Sequence, residues 1–166
     1  MSYLRKLRAW IAKNGSDNVV YMDESGFAAK SYRPHGWAKR GAKVFGLISG
    51  NNRKTTNLIM ALRGKEWLAP MLFNKSCTHE TVLAWIEKAL LKELRPNSLI
   101  VMDNAPFHNK PKIKALLEAH GHTVLFLAPY SPDYNPIEQV FAIIKKRIRY
   151  LGQTLEQVLL GNSYCI

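Results

Sequence analysis

The stretch "LIVMDNAPFH", residues 99–108, is an apolar run that reaches Asp103 and then passes into a short polar turn. The stretch "VVYMDESGF", residues 19–27, has the same form around Asp23. Short apolar runs that end in turn formers are typical of buried strands. Either aspartate alone is simply explained as a turn-capping residue. Because acids that close neighbouring strands meet at one edge of a sheet, the matched pair predicts two carboxylates that lie close together.

The remaining sequence surrounds these two stretches with further strands and helices. Strand-like segments cover residues 44–50, 55–64, 67–76 (interrupted by Pro70) and 122–128, and helical patterns cover 78–94, 111–121 and about 136–151. Thr78 is the expected N-cap of the first of these helices, and Gly121 the expected stop of the second. Early strands followed by alternating units predict an α/β fold with a mixed central sheet flanked by helices.

Charge and composition limit the classes of function. The 166 residues are 47% hydrophobic, and 24 Lys and Arg against 12 Asp and Glu give a net charge of +12. This balance indicates a polyanionic partner, with nucleic acid before membrane. No apolar run approaches the ~20 residues of a membrane span, and the basic, amphipathic start is expected to pack on the domain. Cys77 and Cys165 indicate neither a disulfide framework nor a metal knuckle, which fits a reducing cytoplasm.

A third acid follows the loop "YSPDYNPIE", residues 130–138. Asn135 as N-cap, Pro136 at the first helical position and Glu138 at the third would make a capping box. Alternatively, the loop starts the helix where it does so that Glu138 points towards the two aspartates. Two carboxylates about 4 Å apart repel, so the arrangement requires a bound cation or a shared proton, and all-oxygen sites suit Mg²⁺ or Mn²⁺.

Together the segments "MDESGF", "MDNAPFH" and "APYSPDYNPIE" resemble the catalytic core of a DDE transposase of the mariner superfamily, in its bacterial insertion-sequence branch. The 34 residues between Asp103 and Glu138 match the spacing of that branch. "RPHGWAKRG", residues 33–41, also resembles the basic insertion that follows the first acid in this family. The likeness extends from about residue 18 to 151.

The resemblance implies an RNase H-like fold with Asp23 on the first strand, Asp103 on the fourth and Glu138 on the last helix. These acids would be both the catalytic residues and the ligands of two Mg²⁺ or Mn²⁺ ions. The implied activity is cleavage of DNA strands and their transfer into target DNA at TA sites, by a homodimer on paired transposon ends. A cytoplasmic, nucleoid-associated protein of a bacterium is expected.

Two residues after Asp103 are candidate supporting residues. Asn104 and His108 follow the family pattern and would position phosphate, water or the second acid, but they are equally explained as turn residues. Glu24 is expected on the opposite side of its strand from Asp23 and is left out of the site. Asp133 is expected to stabilise its loop. Three histidines are expected at the surface: His79, His120 and His122.

Basic residues suggest two regions of DNA contact. The first, in which one aromatic residue accompanies three cations, comprises Arg33, Trp37, Lys39 and Arg40. It is alternatively a hairpin whose tryptophan packs on the sheet. The second continues the helix of Glu138 and comprises Lys145, Lys146, Arg147 and Arg149. It is alternatively a solvated helix end that complements the helix dipole.

Domain organisation follows from the same resemblance. Residues 1–17 are expected to form a helix and linker, and residues 18–166 the RNase H-like catalytic domain. The helix-turn-helix region of the family is missing from this sequence. Two alternatives to a transposase therefore stay open: an inactive remnant that binds DNA non-specifically, and a nuclease of the same fold that does not transpose.

Overall fold

A five-stranded mixed sheet forms the centre of the protein. The computed structural model describes residues 3–28, 40, 55–128 and 134–162. The strands are β1 (Val19–Ala28), β2 (Thr55–Arg63), β3 (Glu66–Phe73), β4 (Leu99–Met102) and β5 (Thr123–Phe126), in the spatial order β3-β2-β1-β4-β5. The first three strands pair antiparallel, whereas β4 pairs parallel with both β1 and β5. The predicted mixed sheet is confirmed.

Helices cover both faces of this sheet. They are α1 (Tyr3–Asn14), α2 (His79–Trp85), α3 (Leu91–Glu93), α4 (Lys110–Ala119), α5 (Ile137–Leu151) and α6 (Leu155–Asn162), with a π-helical segment (Ile86–Leu90) between α2 and α3. The Thr78 hydroxyl accepts a hydrogen bond from the backbone N–H of Thr81 at 3.3 Å, which confirms the predicted N-cap. Gly121 follows α4 with φ 76°, a conformation that favours glycine and ends the helix.

The two sheet faces bury separate hydrophobic clusters. On one face, residues of β1 and β4 such as Met22 and Ile100 pack against Trp85 of α2 and Ile113 of α4. On the other face, Phe27 of β1 and several β2 residues pack against α5 and α6. Alternation along β1 therefore assigns successive residues to opposite layers, with α2 and α4 behind one face and α5 over the other.

The amphipathic α1 packs on the domain as expected. Leu4, Leu7, Trp10 and Ile11 contact a third cluster that includes Val19 of β1 and Leu99 of β4. No helix in the described ranges is long and apolar enough to cross a membrane.

Strand β1 is longer than the sequence predicted. Pairing with β2 continues from Val20 opposite Arg63 to Ala28 opposite Thr55. Asp23 consequently lies inside the strand and does not close it. Pro70 does not interrupt β3, because β3 is an edge strand and the register shifts next to Ala69, whose φ is 47°.

Three further expectations need correction or lie outside the description. Segment 122–128 was expected to be a buried strand, but the residues of β5 are only half-buried. Leu151, the last residue of α5, is 67% exposed although its spacing continues the apolar side of the helix. Helix α6 was not anticipated. The expected strand at residues 44–50 lies outside the described residues.

Phe141 is expected to anchor α5. Its ring is 1% exposed and contacts the ring of Phe27 at 6.2 Å between centroids. Phe141→Ala should lower the free energy of unfolding by about 3–5 kcal/mol in urea denaturation, because a large buried ring leaves a cavity. Ile143→Ala, on the exposed side of the same helix, is the control and should change it by less than about 0.5 kcal/mol. Equal losses in the two variants would contradict this packing.

Candidate active site

Parallel pairing of β1 with β4 brings the first two acids together. Tyr21 is paired with Val101, and the same register continued two residues further sets Asp23 beside Asp103. Neighbouring strands are about 4.8 Å apart. Asp23 lies on the α5 side of the sheet and is 8% exposed. Asp103 directly follows β4, and 41% of its side chain is exposed. The predicted pair of carboxylates is therefore present in the fold.

Helix α5 begins at this same place. Asn135 immediately precedes its first turn, and the Asn135 side-chain amide lies 3.5 Å from Asp23 Oδ2, within hydrogen-bonding reach. The predicted capping box is absent, because Pro136 occupies the N-cap position and no side chain caps the helix. Asn135 is 3% exposed and turned into the protein, so its amide serves Asp23. Glu138 lies exposed in the first turn of α5.

Electrostatics connect the three acids. The pKa of Asp23 is raised from 3.8 to about 8, first by burial, and further by the negative charges of Glu24, Glu138 and Asp103; the N–H of Glu24, at 2.8 Å from Asp23 Oδ1, opposes the rise. The buried carboxylate therefore lies in a site that disfavours its negative charge.

Asp103 is held by the turn that follows it. Its Oδ1 lies 2.9 Å from His108 Nε2 and accepts a hydrogen bond from the backbone N–H of Ala105 at 3.2 Å. Burial acts to raise the pKa of Asp103, but the contact with His108, the Ala105 N–H and the charge of Lys110 outweigh it, so the pKa is lowered. Of the two expected supporting residues, His108 thus touches an acid, while Asn104 lies half-buried beside it.

Glu24 is the residue that the sequence interpretation passed over. Strand alternation does turn it away from Asp23, as expected, but on that other face it meets His108, with Oε2 at 3.8 Å from Nε2. Burial raises the pKa of Glu24 to about 7, with His108 lowering it and Asp103 raising it. An acid inside an otherwise apolar strand pattern was the signal that could have found it, because a buried charge requires a partner.

The acids fit a divalent cation in chemistry and charge. Carboxylate oxygens are preferred ligands of Mg²⁺ and Mn²⁺, and a cation would relieve the charge that raises the pKa of Asp23. Within the ranges that the structure describes, no three His, Cys, Asp or Glu side chains are grouped closely enough to hold a metal ion. The donor set is therefore suitable, whereas its ligand geometry is not preformed.

The predicted DNA-binding residues are only partly described. Lys145, Lys146 and Arg149 are exposed on α5, and Lys145 Nζ lies 5.5 Å from the centre of the Phe27 ring. Arg40 is exposed. Three of the predicted DNA contacts, Arg33, Trp37 and Lys39, lie outside the described ranges, as do Asp133 and Cys165.

One of the expected surface histidines is buried. His122 is 8% exposed, and its Nδ1 accepts a hydrogen bond from the backbone N–H of Ser98 at 3.3 Å. This hydrogen bond joins the residue that precedes β4 to the residue that precedes β5. His120 is exposed as expected, and the His79 side chain, 40% exposed, lies beside Glu80.

The raised pKa of Asp23 predicts a pH-dependent stability in metal-free protein. The folded state favours the protonated form, so this contribution is complete below the unfolded pKa of 3.8 and is lost as the pH rises through about 8. In EDTA, Tm should fall between about pH 5 and about pH 8, and Asp23→Asn should reduce that fall. Because the pKa of Glu24 is also raised, part of the fall in Tm should remain in Asp23→Asn.

The exposed Asp17 provides the control for this measurement, since Asp17→Asn removes a carboxylate far from the cluster. An Asp23→Asn protein with the pH dependence of the parent would show that the carboxylate is not destabilised as described.

Comparison with known proteins identifies the fold and the family of this chain. Among curated proteins, none matches this sequence significantly. Among solved structures, the Mos1 strand transfer complex is similar with a TM-score of 0.72 and 20% identity, over 98% of this chain and 52% of that chain. The Mos1 mariner paired end complex with Mn has a TM-score of 0.72 and 19% identity, over 89% of this chain and 47% of that chain. The catalytic domain of Mos1 mariner transposase has a TM-score of 0.61 and 18% identity, over 98% of this chain and 78% of that chain.

At these identities the likeness concerns the fold, and the mixed sheet with its flanking helices has the RNase H-like fold of the Mos1 catalytic domain. The chain spans about half the length of the Mos1 chain in the strand transfer complex. The sequence model described as DDE superfamily endonuclease matches residues 18–158, which is most of the chain. The protein therefore belongs to the DDE superfamily endonuclease family.

Proposed function

We propose that Asp23, Asp103 and Glu138 are the catalytic, metal-binding acids of a DNA transposase catalytic domain that cleaves DNA strands and transfers them. The observation that carries the proposal is the parallel register of β1 and β4, which sets Asp23 beside Asp103, together with the position of Glu138 in the first turn of α5. Three acids from β1, the end of β4 and the start of α5 thus act on one another at one place. A buried carboxylate such as Asp23 beside further acids is unfavourable, and such groups are common at functional sites.

Two Mg²⁺ or Mn²⁺ ions, when bound, would supply activation of a water or 3′-hydroxyl nucleophile and stabilisation of the leaving oxygen. The chain's own residues would orient the carboxylates. His108 and the Ala105 N–H hold Asp103, and the Asn135 amide lies against Asp23. Glu138 is exposed and free to approach from the helix side.

DNA is the substrate class that the charge distribution favours. The chain carries +12, and the exposed cations of α5 continue the helix on which Glu138 lies. Duplex or single-stranded DNA bound along α5 would therefore lie next to the three acids. Similar structures include a strand transfer complex and a paired-end complex with a transposon end, which supports transposon-end DNA as the substrate here.

The finer assignments extend the same proposal. Residues 18–166 would be the catalytic domain, with 1–17 a preceding helix and linker, and the bacterial insertion-sequence branch of the mariner superfamily is the proposed origin. A homodimer acting on paired ends and inserting at TA sites in nucleoid DNA would follow. Arg33, Trp37, Lys39 and Arg40 remain proposed DNA contacts, together with Lys145, Lys146 and Arg149.

Two other functions use the same surface. A nuclease of this fold would nick DNA without joining strands, and an inactive remnant would bind DNA without binding metal.

Cleavage is expected to depend on metal and on each acid. With Mn²⁺ or Mg²⁺ the protein should nick DNA, and Asp103→Asn or Glu138→Gln should reduce the rate by at least about 100-fold, since each removes a ligand of the catalytic ions. The measurement is conversion of supercoiled plasmid, with strand joining followed on labelled oligonucleotides.

Glu156→Gln, an exposed change on α6, is the matched control and should leave the rate unchanged. Retained nicking in Asp103→Asn would exclude the metal assignment. Nicking without joining would favour the nuclease, and salt-sensitive DNA binding without Mn²⁺ binding in calorimetry would favour the remnant.

The α5 cations should contribute to DNA affinity through phosphate contacts. Replacing Lys145 and Lys146 with Ala should weaken binding at low salt and reduce the slope of log K against log salt by about 1 per lysine. The control is Lys88→Ala with Lys92→Ala, an equal charge change on the exposed surface near α3. If both double variants changed the slope equally, the contribution of α5 would be no more than net charge.

A further inference from the structure

Glu24 is a buried carboxylate for which the proposed chemistry has no direct use. It follows Asp23 in β1 and faces the opposite side of the sheet, where 12% of its side chain is exposed. A buried acid of this kind destabilises a fold unless its neighbours compensate the charge. The neighbours of Glu24 therefore indicate what it does.

Both oxygens of Glu24 meet residues from other parts of the chain. Oε2 lies 3.8 Å from His108 Nε2, and Oε1 lies 3.9 Å from the Sγ of Cys77, which is close enough for a thiol hydrogen bond. The same His108 Nε2 lies 2.9 Å from Asp103 Oδ1. A single imidazole nitrogen thus lies between the carboxylate of Glu24 and a proposed metal ligand.

The two carboxylates meet the imidazole of His108 on the side of one ring nitrogen. Nε2 is the nitrogen that faces two carboxylates, and neither ring nitrogen makes an aligned hydrogen bond in the part of the chain that is described. A neutral imidazole carries its hydrogen on one nitrogen, and acceptors on the Nε2 side favour that tautomer. Nε2 lies 2.9 Å from Asp103 Oδ1, a close contact without the alignment of a hydrogen bond, and Glu24, at 3.8 Å, acts by its charge.

Asp103 needs such support more than Asp23 does. It follows the last residue of β4, its side chain is 41% exposed, and the backbone N–H of Ala105 in the same short turn donates to it at 3.2 Å. His108 is 5% exposed and packed beneath the exposed ring of Phe107, at 4.2 Å between ring centres. Because β1 is a central strand, a contact from Glu24 to His108 fixes the turn relative to the strand that carries Asp23.

We propose that Glu24 is a positioning residue that acts through His108, holding its Nε2–H towards Asp103 and thereby orienting this carboxylate for metal binding. The inference rests on the proposed function, since it assumes that Asp103 is a metal ligand. Glu24 itself is not a ligand in this account, because it lies on the other face of the sheet from Asp23.

Calorimetric titration with Mn²⁺ tests the proposal without any DNA. Glu24→Gln keeps the shape of the side chain and removes its charge, and we expect it to weaken Mn²⁺ binding by about 10-fold, as is typical for the loss of a partner behind a metal ligand. Glu93→Gln is the matched control: Glu93 also binds the domain, through the Ala69 N–H at 3.0 Å, but away from the acids, and Mn²⁺ affinity should be unchanged.

The route through His108 is tested by a double-mutant cycle. His108→Ala should weaken Mn²⁺ binding at least as much as Glu24→Gln, and adding Glu24→Gln to His108→Ala should have no further effect. His108→Gln, which can supply an N–H near the position of Nε2, should restore part of the affinity.

A spectroscopic measurement on the metal-free protein separates positioning from a general structural role. Nitrogen-detected imidazole NMR should show the Nε2–H form of His108 in the parent and a loss of that preference in Glu24→Gln. A merely structural glutamate would change Tm and leave the tautomer as it is.

The outcomes distinguish this inference from the function on which it rests. If the parent protein binds no Mn²⁺, the metal assignment fails. If the parent binds Mn²⁺ while Glu24→Gln binds equally well, or if the two losses simply add in the cycle, the positioning role of Glu24 is overturned and the metal site stands.

Discussion

Burial of the Asp23 carboxylate, at a place where Glu138 and Asp103 add further negative charge, is the constraint around which this site is organised. The pairing of β1 with β4 sets Asp23 beside Asp103, and α5 then adds Glu138 from above the sheet. Hydrophobic packing of α5 against β1 and β2 supplies the free energy that keeps the acids together, since Phe141 and its neighbours are fully buried there. The burial that stabilises the fold also makes the negative charge of Asp23 unfavourable, and a divalent cation would remove that conflict.

The groups around the acids differ on the two sides of the sheet. Asp23 has the Asn135 amide and the N–H of Glu24 as partners on or beside the α5 face. Asp103 is held from the other side, by the turn that carries His108, with Glu24 behind it. The site is thus supported by both helical layers, which explains why its residues come from β1, the β4 turn and the start of α5.

Much of this site could be predicted because its signals are local. An apolar strand pattern that reaches an acid occurs twice, and it predicted Asp23 and Asp103. Turn formers before an amphipathic stripe predicted that α5 starts near Glu138. Asn135 was assigned to a helix cap because capping is a rule of neighbouring residues, whereas its actual contact is with a residue 112 positions away. The direction of Glu24 was predicted correctly, but not what it meets there, because that depends on how the β4 turn folds back.

The central claim is that Asp23, Asp103 and Glu138 together bind a divalent cation, and it can be tested most directly by crystallography with Mn²⁺. Anomalous scattering from a crystal of the protein soaked in Mn²⁺ should show density between Asp23 and Asp103, and it should disappear in Asp103→Asn crystals prepared in the same way. Anomalous density that is absent from the parent crystal, or that lies only at other residues, would contradict the account.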